Sequence, residues 1–156
     1  MTKNEEICEL MDKLTIEMLE LIQEKVQCEI NIEKRTNEGN LLLAKARYIQ
    51  GTNSVSTSQL PTENTTEFAA LVKVTETESD NIQQKELILQ KSAVNKDSGH
   101  IDPMRWFGLL VPRSLIFAKE RFIMSIELAV ECANIQRELL NVIYYLGKLK
   151  NVKQSL

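Results

Sequence analysis

Asp102 to Leu115 reads DPMRWFGLLVPRSL and holds the chain's single Trp and two of its three Pro. Each Pro biases the residue before it away from helical geometry, and a Pro also suits the first turn of a new helix. The spacing therefore predicts a short folded piece between Asp102 and Val111 and a fresh helix start at Pro112. Trp106, Phe107, Leu109, Leu110 and Val111 form a dense apolar plug that should be covered, and Gly108 lets a neighbouring backbone approach.

Downstream of this corner, Leu128, Cys132, Ile135, Leu139, Val142, Leu146 and Leu149 repeat at alternating steps of three and four, an unbroken apolar seam. The earlier part of the same helix turns a different face through Leu115, Phe122, Ile126, Ala129 and Ala133, so different lengths should meet different surfaces. We expect this helix to run to about Lys150, with Lys148, Lys150 and Lys153 near the negative end of its dipole.

Upstream, Thr2 and Glu5 form a capping-box pattern ahead of a second seam. It runs through Ile7, Met11, Leu14, Met18, Leu21, Lys25, Cys28, Ile32, Arg35, Gly39, Leu42, Ala46 and Ile49. Polar or small residues interrupt it at Lys25, Arg35 and Gly39, which predicts a kink or a polar contact near 35–40, and Gly51 offers a stop. A second stripe through Leu10, Leu19, Ile22 and Val26 makes this helix too apolar for one partner helix to cover. The expected fold is all-α: two long helices, 1–51 and 101–156, forming an antiparallel coiled-coil hairpin, joined by a polar middle at 52–100.

That middle opens as TNSVSTSQLPTENTT, a loop by composition. Apolar runs at Phe68–Thr75 and Leu87–Gln90 flank the acidic stretch from Glu76 to Asp80; a small β-hairpin, an amphipathic turn and disorder all fit. His100 has no second ligand type at metal spacing, and we read it as a solvent-exposed loop residue.

Several function classes are disfavoured. The formal net charge is −3 and no basic face is evident, which argues against a general nucleic-acid binder. Lys and Arg against Asp and Glu count seven to ten in residues 1–51, four to seven in 52–100 and eight to five in 101–156, so the two ends differ in sign. Cys8, Cys28 and Cys132 are scattered and read as reduced thiols, which fits a reducing compartment. Neither a signal core nor an apolar run of membrane-spanning length is expected. With no Gly-rich phosphate loop, nucleophile arrangement or metal-ligand cluster, we expect no enzyme, cofactor or metal.

Two blocks resemble one family. Asp102-Pro103, Trp106-Phe107-Gly108, Leu110-Val111-Pro112 and Ser114-Leu115 make up the first; Leu43-Ala44-Lys45-Ala46-Arg47-Tyr48, Gly51 and Ser54-Val55 make up the second. Together they resemble the assembly factors of the vacuolar-type proton-pumping ATPase, whose animal members are called coiled-coil domain-containing proteins. The resemblance covers roughly residues 5–56 and 101–150. It implies a non-catalytic assembly chaperone for the membrane sector of the pump, peripheral on the cytosolic face of the endoplasmic reticulum, with early secretory vesicles or endosomes as further locations. The implied partners are a membrane-embedded assembly factor and subunits of that membrane sector, with no nucleic acid. Leu43, Ala46, Tyr48, Asp102, Pro103, Trp106, Phe107, Gly108, Val111, Pro112 and Leu115 are then the expected structural or partner-contact residues. The heptads alone also permit a self-associating coiled-coil scaffold or tether.

Overall fold

A computed structural model of the chain describes residues 3–78, 85–95 and 97–155. Helix α1 spans Lys3–Gln50, strand β1 Val72–Glu78, strand β2 Lys85–Lys91 and helix α2 Arg113–Gln154; short 3₁₀ turns lie at Thr57–Gln59 and Pro103–Phe107. Glu5 and Glu6 stand in the first turn of α1, where the helix dipole favours negative charge. Thr2, the expected cap, lies outside the described residues. At the other end Gly51 takes a φ of +90°, a conformation that suits glycine and stops the helix. Pro112 caps α2 in extended geometry.

The two helices run side by side in opposite directions. Leu21 packs with Leu139 and Val142, the Cys28 thiol donates to the Leu128 carbonyl at 3.2 Å, Thr36 and Ser125 share a 2.8 Å hydroxyl bond, and Ala46 packs with Leu115. Two apolar clusters form, one at each end: Leu21, Leu139 and Val142, joined by Leu14, Met18, Ile135 and Leu146, and Ala46, Val55 and Leu115 beside the corner. Between them polar pairs are interspersed with packing contacts. Glu38 receives Arg35 at 3.0 Å from its own helix and Arg121 at 3.3 Å from α2. The polar contact expected near 35–40 is this one.

The all-α coiled-coil hairpin is not what forms. The polar middle contains an antiparallel strand pair, with Val72 opposite Lys91, Val74 opposite Leu89 and Glu78 opposite Lys85. Nor is the helix contact an uninterrupted seam of interlocking apolar side chains, because hydroxyls, a thiol and an ion triad occupy its centre. The strands form because Val72, Val74, Leu87 and Leu89 present alternating apolar positions, and Leu87 and Leu89 are the half-buried residues of β2.

What makes a lone strand pair stable here is its attachment to α2. The Asn134 amide donates to the Leu87 carbonyl and accepts from the Leu87 N–H, both at 2.9 Å, adding one peptide-like rung to the ladder. Arg137 donates to the Lys85 carbonyl at 2.8 Å and pairs with Glu76 at 2.9 Å. Lys91 pairs with Glu127. Partial desolvation opposes ionisation of Glu76, but Lys85 and Arg137 outweigh it and hold the carboxyl below its ordinary value.

From β2 the chain returns through paired hydrogen bonds between Asn95 and His100, and Ala69 N–H donates to the Gly99 carbonyl at 2.9 Å. His100 is half-buried in these bridges, with Nδ1 2.8 Å from the Ser98 hydroxyl, and is not the solvent-exposed loop residue expected. Backbone pairing on both of its sides draws it in.

Candidate partner-binding surfaces

The corner is built from Asp102 outward. Its carboxylate accepts from the Met104 N–H at 3.1 Å, capping the 3₁₀ turn, while Pro103 fills a first-turn position that needs no donor. Lys119, on the second turn of α2, reaches both Asp102 carboxylate oxygens at 3.2 and 3.3 Å, which ties the turn to the helix it precedes. Gly108 closes the turn with φ +114°, strained for any side chain, and directs the chain away from the cluster.

Within this frame, Leu43, Met104, Phe107 and Val111 pack against the buried Ala46, Val55 and Leu115. Leu43 and Ala46 come from LLLAKARY, and Val55 comes from the loop that follows it. The two resembling blocks are therefore joined in space. Phe107 is among the plug residues that are covered. Trp106 does something else: half-buried, it meets Phe68, on the approach to β1, edge-on at 5.2 Å.

The rest of the plug is not covered. Leu109 is 101% exposed and Leu110 91%, at a bend of the chain that follows Gly108. Tyr48 is 90% exposed at the end of α1. The Gln50 side chain donates to the Leu110 carbonyl at 3.3 Å, so the end of α1 borders Leu110. Residues expected as a single contact group thus divide. Leu43, Ala46, Asp102, Pro103, Phe107, Val111, Pro112 and Leu115 shape the corner, and Tyr48 faces solvent with Leu109 and Leu110. Sequence reasoning missed the outward turn at Leu109: the Gly immediately before it signals a turn but not its direction.

Among the described residues no group of three or more His, Cys, Asp or Glu could hold a metal ion, and no helix is long and apolar enough to cross a membrane. The arrangement is that of a mostly helical protein whose exposed apolar surfaces are suited to contact with other proteins.

No family model matches the chain. Whole-chain comparison does find relatives. The vacuolar ATPase assembly protein VMA22 of Mus musculus is 26% identical over 151 residues, 84% of each chain. That of Bos taurus is 28% identical over 149 residues, 78% of this chain and 81% of the relative, and that of Danio rerio is 27% identical over 168 residues, 81% and 80%. These relatives are named for vacuolar ATPase assembly, the same family that the two motif blocks of this chain resemble.

Proposed function

We propose that this chain is a non-catalytic assembly chaperone of the vacuolar-type proton-pumping ATPase. The observation that carries the reading is the similarity, over about four fifths of both chains, to proteins named for that assembly. We place its action on the membrane sector of the pump, at the cytosolic face of the endoplasmic reticulum, in company with a membrane-embedded assembly factor. A chain whose described helices do not cross a membrane needs such a tether to act at one. The exposed pair Leu109 and Leu110, held beside the corner, supports contact with a client or tether: adjacent large apolar groups left in solvent form a ready hot spot.

The test is recovery of the tagged chain in gentle detergent, followed by a vesicle acidification assay after its depletion. Unassembled pump subunits in the recovered material, together with failed acidification, support the proposal. Normal acidification after complete depletion overturns it. Leu109→Ser with Leu110→Ser should leave the melting temperature unchanged and lower recovery of the pump subunits.

A further inference from the structure

Helix α1 has two apolar sides. One, through Leu14, Leu21, Cys28 and Ala46, meets α2 or the corner. The other carries Ile16, Leu19, Ile22, Val26 and Ile30, which are 59%, 58%, 40%, 50% and 52% exposed. At about 100° per residue these five fall within roughly 120° of arc, about half a turn from Leu21 and Cys28. The stripe is about 20 Å long. A helix apolar on opposite sides is ordinarily covered on both.

The charge around this stripe identifies what covers it. Residues 5–33 hold nine Asp and Glu against two Lys, and the facing stretch of α2, 127–150, adds three of each sign. Alongside the stripe, a groove of about 650 Å³ between the helices carries the carboxylates of Glu20, Glu24 and Glu131 on a lining otherwise made of neutral polar side chains and of Cys28, Leu128 and Ile135. Apolar surface thus passes directly into a groove that carries three carboxylates and no basic residue.

We propose that the outer face of α1 from Ile16 to Ile30 docks a basic amphipathic helix of a partner protein. Its apolar side would lie on Leu19, Ile22 and Val26, and its Lys or Arg side chains would reach the groove at Glu20, Glu24 and Glu131. A second copy of the chain is the wrong occupant, because it would bring one acidic rim against another. An anionic lipid surface is disfavoured for the same reason. The inference builds on the assembly reading by giving the partner a chemistry.

The experiment uses the purified full chain and two fluorescent 18-residue synthetic helices, each with Leu along one side and with either Lys or Glu along the other. The Lys peptide binds, more tightly as salt is lowered, and the Glu peptide does not. Leu19→Asp with Val26→Asp weakens binding at least tenfold with an unchanged melting temperature, as expected for exposed positions. Glu20→Lys with Glu24→Lys shifts the preference toward the Glu peptide. Equal binding of both peptides, binding of neither, or indifference to the Asp pair overturns the proposal. So does a dimer in sedimentation, or binding to phosphatidylserine vesicles, that the Asp pair abolishes. None of these outcomes touches the acidification test, so the docking proposal and the assembly reading fail separately.

Discussion

A Cβ placed on Gly39 would lie 2.8 Å from Cε1 and 2.9 Å from Cζ of Phe122, so the aromatic ring of α2 rests on bare backbone of α1. Helix propensity alone says that Gly39→Ala should stabilise by about 1 kcal/mol. The ring says otherwise, since overpacking costs about 1–3 kcal/mol. We expect Gly39→Ala to destabilise the chain by about 1 kcal/mol in urea unfolding, and to stabilise it by about the same amount in a Phe122→Ala background. Stabilisation in both backgrounds would mean that the ring swings aside without cost.

Asn134 supports the strand pair through two hydrogen bonds to one residue, Leu87. Asn134→Ala leaves both backbone groups to water and should cost about 1–3 kcal/mol of docking free energy. The loss is expected to be local. Hydrogen exchange at the Leu87 amide should accelerate while amides of α1 between Leu14 and Cys28 keep their protection; uniform acceleration would show that the strand pair and the helices open as one unit.

Ser114 sits buried at the start of α2, and its hydroxyl has no hydrogen-bond partner among the described residues. An unpaired buried hydroxyl is a cost rather than a support. Ser114→Ala should therefore raise stability by about 1 kcal/mol in a thermal melt. A drop of that size would reveal a bonded hydroxyl.

Burial, then the neighbouring Cys132 and Glu131, push the Cys28 thiol up from its ordinary 9.0 to about 11. The folded chain holds this proton more tightly than the unfolded chain. The contribution is complete below about pH 9 and is lost as pH rises through about 11. Stability should fall across that window by at most about 3 kcal/mol more in the native protein than in Cys28→Ser, which has no thiol to titrate. Parallel pH profiles for the two would contradict the assignment.

The ends of the helices were legible because single residues decide them: Gly51 stops α1, and Pro112 fixes the start of α2. The polar contact at Arg35 was legible as a break in an apolar repeat. The strand pair was open between several readings because its anchor, Asn134, lies far along the chain on a helix where an Asn carries no strand signal. Of the candidate contact residues, those that pack were readable as apolar positions in two blocks. The exposure of Leu109 and Leu110 was not, since it depends on the direction in which one Gly releases the chain. Composition alone would have buried both.

The corner where Ala46 meets Leu115 has a kinetic consequence. Of the contacts between the long helices, those nearest the corner close the shortest loop, and the Leu21–Leu139 end closes the longest. Loop-closure entropy therefore favours nucleation at the corner, followed by zipping toward the far ends. Substitutions around Leu115 should slow folding, whereas those around Leu139 should mainly hasten unfolding. A chain of this design can thus have its corner formed while the far ends of its helices are still apart.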